Sequence, residues 1–473
     1  MPTQSLVLRG EIGRRLTIAE MDGNFSYLES LAQEDQSSQP NNQIAVGTGT
    51  GLTSSENFTY DNICSNLLAS PNSVISSDSC QSAIIGGCDN TICANEGSVI
   101  IGGYDNRICC SSDYSSIIGG YSNDICFNSH QSAIIGGCNN EVKDNSCNST
   151  IVGGNNNRIC GYDNDSSYGS CNSTIVGGYN NQIIYDSSHS AIVGGCNNRI
   201  CYYSDYSTTI GGTDNLICNS DKSGIFSGVS SRICNYSDRS TILGGSQNEI
   251  CNSSCRSTVI GGFRNCVVDD SCNSAVISGC NNTICDESTN STILGGHCNT
   301  INYYSCDSSL IGGCFNIVNC YSCDSSIVGG GCNIVDGYSC NSTIVGGSNN
   351  CICGYDSNYG PGFFYGSCNS TIVGGCDNKI ICAADFSSII GGCHNIITCS
   401  DFSSIVGGCC NTIDGYGNNY ISIIGGGCNT ISNTDYTSII GGRNNTICGE
   451  SDYSGIFTSY CSIIYDTQYS GIF

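Results

Sequence analysis

The chain has 473 residues, a formal net charge of −26 and only 14 lysines and arginines, a balance that argues against nucleic acid as a ligand. It contains 62 glycines, which suit tight corners, and only 4 prolines, as expected where backbone N–H groups are needed for strand ladders. No run of about 18 apolar residues occurs, so no membrane span is expected, and the N-terminus lacks the apolar core of a secretory signal.

In chain order, residues 1–43 read as an attachment segment. Thr17 and Glu20 form a capping box that opens a helix. Ile18, Met21, Phe25, Leu28 and Leu31 follow at steps of three and four, a short seam suited to a small bundle, to docking, or to packing on the chain's own body. A polar linker closes this segment. Residues 44–80 form a Gly/Thr-rich transition region.

From residue 81 to 473 a 17-residue unit repeats about 22 times, roughly Ser-x-Ile-Ile-Gly-Gly-x-x-Asn-x-Ile-Cys. A short fixed period with apolar residues at fixed phases predicts stacked coils, an all-β solenoid. Four residues after the first glycine stands Asn: Asn90, Asn106, Asn123, Asn140, Asn157, Asn181, Asn198, Asn215, Asn248 and onward to Asn445, with Ser231 as the exception. Equivalent residues of successive coils lie about 4.8 Å apart, so this column can form an amide ladder, although Asn also serves as a plain turn residue. Two residues later every unit has Ile or Val, on the same face of the strand.

Both residues before Gly-Gly are apolar, as in Ile84-Ile85, Ile134-Ile135 and Ile439-Ile440; Thr209 is the polar intruder. Adjacent strand residues point to opposite faces. One column can fill the coil, and the other would lie in water unless something covers it. The simplest cover is another copy, which predicts a homo-oligomer, a trimer about a long axis. A thicker single-chain solenoid that buries both columns is the alternative.

The 40 cysteines also fall in columns. Coil-to-coil disulfides such as Cys201–Cys218 or Cys234–Cys251 fit the window of about 4.4–6.8 Å between Cα atoms, and cross-column pairs such as Cys147–Cys160, Cys272–Cys285 and Cys340–Cys353 recur at one fixed separation. Spacing does not choose between these pairings. Only one Cys-x-x-Cys (Cys320, Cys323) and 4 histidines at unlike phases are present, so neither metal nor cofactor is expected. Disulfides imply an oxidising final location.

Two units carry insertions, residues 161–171 and 354–368, that begin Gly-Tyr-Asp and end Tyr-Gly-Ser-Cys. In the second, Tyr359, Phe363, Phe364 and Tyr365 form an aromatic loop suited to touching a partner such as a surface glycan, against the alternative of tolerated loop drift. No catalytic constellation is visible, and an enzyme is not expected.

The segment LTIAEMDGNFSYLESL (residues 16–31) resembles one found near the N-termini of phage and large-virus tail-fibre proteins, and IAVGTGTGLTSSENFTYD (residues 44–61) looks like the Gly/Thr-rich passage that often follows it. The resemblance implies attachment to a virion or appendage base through the N-terminus. The repeats are similar in style to the β-roll heads of trimeric autotransporter adhesins, but longer and far richer in Cys. The combined expectation is a disulfide-stapled trimeric shaft of a viral or phage fibre, about 100 Å long, on a virion or extracellular appendage. The alternative is a subunit of a cellular filament or adhesin. Because the sequence halts within a repeat at Phe473, either a removed C-terminal trimerisation chaperone or a truncated chain is also expected.

Overall fold

The computed structural model describes residues 43–47, 52–61, 63–162, 169–354 and 366–473. The attachment segment with its expected helix therefore lies outside the described residues, as do Tyr359, Phe363, Phe364 and Tyr365. The described chain is an all-β solenoid of about 23 turns, with no helix. It divides into two compact units, residues 1–178 and 179–473.

In the first unit, β1 (Gln43–Gly47) pairs antiparallel with β2 (Leu52–Asp61), and β2 pairs antiparallel with β3 (Asn66–Ala69). From β3 onward every pairing among the described residues is parallel. Leu68 opposes Ile84 of the strand Ala83–Ile85, so the stacked ladder already begins inside the transition region. The antiparallel meander covers the first edge of that ladder, which would otherwise present unpaired backbone groups.

Each coil contributes two short strands. In the third full coil these are Ser116–Ile118 and Asp124–Ile125. Ile117 lies opposite Ile100 and Ile134, and Ile125 opposite Ile108 and Val142, without register shift. Two parallel sheets result, one from each strand of the coil. The second unit repeats the plan, from Gln182–Ile184 and Ala191–Val193 to Ile463–Tyr465 and Gly471–Ile472.

The strands are short because corners interrupt them. Gly119 and Gly120 both have positive φ, 68° and 90°. They differ in how strictly they require glycine. A Cβ on Gly120 would stand 2.3 Å from Asn123 Nδ2 and 2.5 Å from the Gly137 carbonyl oxygen, whereas a Cβ on Gly119 would meet nothing within 4 Å. The first position needs only the left-handed conformation, and Ser227, Ser278 and Thr458 occupy it at φ of 55°, 60° and 49°.

The interior of a coil is narrow. In the third coil it holds Ile117, Ile125, Asn123, Ser115 and Ser129, all buried. Burying an Ile contributes roughly 1.5–3 kcal/mol, so each coil gains little alone and depends on the stack for backbone pairing. The polar interior residues are satisfied by the neighbouring coils. Asn123 Nδ2 donates to Asn106 Oδ1 (3.1 Å) and to the Gly137 carbonyl (3.3 Å), and Asn123 Oδ1 accepts from the Asn140 backbone N–H (3.0 Å). In the second unit Asn215 Nδ2 donates to Asn198 Oδ1 at 3.0 Å, and at Ser231 the backbone N–H still donates to Asn215 Oδ1 at 3.1 Å. The asparagine column is thus a ladder.

The opposite corner holds two serine columns that the sequence reading did not single out. The Ser132 N–H donates to Ser115 Oγ at 3.1 Å, and Ser132 Oγ donates to the Ser146 carbonyl at 3.1 Å. The Ser129 N–H donates to Ser112 Oγ at 3.2 Å. Read in sequence, these serines sit in a polar corner and look solvent-facing; stacking alone reveals that they carry the coil-to-coil bonds.

Candidate functional site

Three outward features stand apart from this interior. The first is the aliphatic column. Ile84, Ile134 and Ile439 are fully buried inside the coil, while the following residues Ile85 and Ile135 are 44% and 43% exposed; Ile440 is half-buried. Within the first unit the exposed column continues through Ile101, Ile118, Val152 and Val176, and within the second through Val193, Ile210, Leu243 and Ile260 toward Ile424. The coil buries one column of the pair and leaves the other in solvent. Isolated exposed aliphatics are ordinary, but a continuous row at coil spacing is not.

The second feature is a set of ring stacks at the corners. Phe386, Phe402, Tyr420, Tyr436, Tyr453 and Tyr469 stack in sequence, with centroids 5.0–5.2 Å apart. Tyr304, Tyr321 and Tyr338 form a second stack at 4.9 Å. The residues of both stacks adopt positive φ. Because the ring faces are turned toward one another, mostly edges meet solvent.

The third is cysteine chemistry. Cys234 and Cys251, in adjacent coils with Cα atoms 4.7 Å apart, are joined by a disulfide. Cys351 and Cys353 are also joined, so Cys353 is not bonded to Cys340. Cys147, Cys160, Cys272, Cys285 and Cys340 are thiols here, so none of the cross-column pairs is bridged, and Cys201 and Cys218 are thiols hydrogen-bonded to each other. The cross-column cysteines do different jobs. Cys272 Sγ accepts the Cys255 backbone N–H at 3.1 Å, as Asp205 Oδ1 accepts the Ser188 N–H at 2.6 Å and Asp221 Oδ1 the Asp205 N–H at 2.8 Å. In that column cysteine substitutes for aspartate as a corner acceptor. Cys160, by contrast, belongs to the strand column and is buried, and burial pushes its thiol up to about 12.

Spacing offered no metal ligands, yet stacking gathers some. In the first unit the Sγ atoms of Cys109 and Cys126 and a carboxylate oxygen of Asp124 all lie within 4.8 Å of one another. A hydrogen bond with Cys126 holds the Cys109 thiol down at about 6, and pushes Cys126 up. Arg107 Nε donates to Asp124 Oδ1 at 3.1 Å, and its terminal nitrogen binds the other oxygen. In the second unit Cys234, Glu249 and Cys251 hold the same places, with Arg232 beside Glu249. The signal for both is an acidic-x-Cys strand stacked on an Arg-x-Cys strand, visible only once the register is known.

Among the described residues no helix is long and apolar enough to cross a membrane. No protein-family model and no curated protein matches the chain.

Proposed function

We propose that this protein is the structural shaft of a fibre, in which copies of the chain pack lengthwise through the exposed aliphatic column. The observation that carries this reading is the alternation of buried Ile134 with exposed Ile135, repeated coil after coil in each unit. A partner able to cover such a row must offer apolar groups at the same rise of about 4.8 Å. Another solenoid of the same kind does so along its whole length, and a globular partner does not. Closed symmetry about the long axis, three copies with their columns inward, buries every row at once. The charge of −26 then falls on the outer faces, where it opposes lateral clumping of finished fibres.

The fibre's placement on a virion or appendage, with the N-terminus at the base and adhesion to host surfaces as its work, rests on the resemblance of residues 16–31 and 44–61 to tail-fibre proteins. Disulfides such as Cys234–Cys251 suit a shaft that must resist force and proteases.

Sedimentation velocity on the purified chain tests the assembly. The expected species is a trimer, and the double variant Ile135→Lys/Val152→Lys is expected to sediment as a folded monomer. A wild-type chain that stays monomeric at tens of micromolar overturns the reading. Electron microscopy of virions or cells labelled for the chain tests the placement separately.

A further inference from the structure

The thiol cluster of the first unit has a composition that disulfide stapling does not use up. Cys93, Cys109 and Cys126 occupy one column in three successive coils, with Ser76 before them and Lys143 after. An odd run cannot pair off completely. In the second unit the corresponding run is even, Cys201, Cys218, Cys234 and Cys251, and its last two members are bonded.

Beside the odd run stands one more sulfur. Cys110 follows Cys109 directly, and adjacent strand residues would normally point apart. Cys110 instead has φ of 57°, which turns its side chain back, and its Sγ lies 3.6 Å from that of Cys109. At the same place in the second unit stands Asn235. Cys126 Sγ lies 3.7 Å from Asp124 Oδ2. A tetrahedral ion with metal–sulfur bonds of about 2.3 Å holds its sulfurs about 3.8 Å apart, which the Cys109–Cys110 separation matches; Cys109, Cys126 and Asp124 are already gathered, and Cys110 stands beside Cys109 but outside that group, so it must turn toward it to complete a shell.

We propose that Cys109, Cys110, Cys126 and Asp124 form a tetrahedral binding site for a soft divalent cation of the zinc class, clamping two adjacent coils together. Three thiolates and a carboxylate are a donor set such an ion favours. Arg107 holds both oxygens of Asp124, so it orients the carboxylate and offsets part of the site's negative charge, while the Cys126 thiol donates to Oδ2, the contact an ion would replace. Cys109 and Cys126 are buried and Cys110 is exposed, which gives the ion one open approach. Cys93 lies on the far side of Cys109 from Cys126 and stays outside the shell.

The test uses the full chain, purified under reductant and incubated with zinc ion alone, then alkylated without denaturant and mapped by mass spectrometry. The expected result is that the exposed Cys110 resists alkylation with zinc present, and that a chelator without reductant restores its reactivity. Equal labelling of Cys110 with and without zinc overturns the site. Protection that only a reductant relieves also overturns it, since that is the behaviour of a disulfide. Competition with a chromophoric chelator adds a second measurement. Cys110→Asn, which copies the second unit's residue, and Asp124→Asn should each weaken zinc binding at least tenfold, while Cys93→Ser leaves it unchanged. A loss in Cys93→Ser equal to that in Cys110→Asn, or no change in Asp124→Asn, overturns the ligand set.

Discussion

The inner and outer faces of the first sheet are written by adjacent residues, and the two faces obey different rules. Inside, Ile117, Ile134 and Ile151 stack on one another among the second aliphatic column and the polar columns of the interior, with no exposed surface. Outside, Ile118, Ile135 and Val152 share the same strands and the same side-chain chemistry, yet all three are exposed. Residue type therefore does not separate fold from function in this chain; parity along the strand does. The inner face must be right for the coil to exist, and the outer face is available for whatever the solenoid meets.

That contrast is open to direct attack by substitutions made in neighbouring pairs. The largest difference is expected at the aliphatic pair. Ile134→Ala empties a sealed interior and should cost about 2–5 kcal/mol. Ile135→Ala removes a half-solvated side chain and should change the lone chain's stability by about 0.5 kcal/mol or less. Hydrogen exchange of the flanking coils reads both, since a repeat stack unfolds locally. Equal effects would erase the distinction between the faces.

The glycine pair comes next. Gly119→Ala should cost about 1–2 kcal/mol for a left-handed alanine. Gly120→Ala adds a collision with the Gly137 carbonyl, about 1–3 kcal/mol more from the forced backbone shift. Proteolytic susceptibility of the two variants should separate them.

The polar ladder follows. Asn123→Ala strands the Asn140 backbone N–H and should cost about 1–3 kcal/mol. Its outward neighbour, Ser122→Ala, loses only an exposed bond to Asp105 and should shift thermal unfolding little.

The smallest expected effect is a gain. Thr209 stands in the inner aliphatic column, fully buried, with its hydroxyl unpaired. Thr209→Val should stabilise the surrounding coils by about 1 kcal/mol, while Thr208→Val on the outward side should leave them unchanged. Protected-amide lifetimes near residue 209 are the readout, and a loss there would mean that the hydroxyl has a partner.

The period, the inward aliphatic residues and the asparagine column were legible in sequence because a 17-residue spacing superimposes them without any knowledge of the corners. The pairing of Ile84 with Ile85 as one buried and one exposed residue followed from strand alternation alone. The serine columns were not legible, because a serine in a polar corner has the same sequence surroundings whether it faces water or the next coil. Cysteine partners were hidden for a related reason. Cys147 and Cys160 are near in sequence but occupy different columns, and only the register of successive coils decides which sulfurs meet.

Each Asn side chain in the ladder reaches no farther than the coil before it and the coil after it. Removing residues 116–132 as a single cassette would bring Ala133–Ile135 against Val99–Ile101 and Asn140 against Asn106, with every strand face unchanged. Length is consequently a heritable dial. Unequal crossing-over between repeated gene segments can lengthen or shorten the protein by whole turns, with no compensating mutation elsewhere.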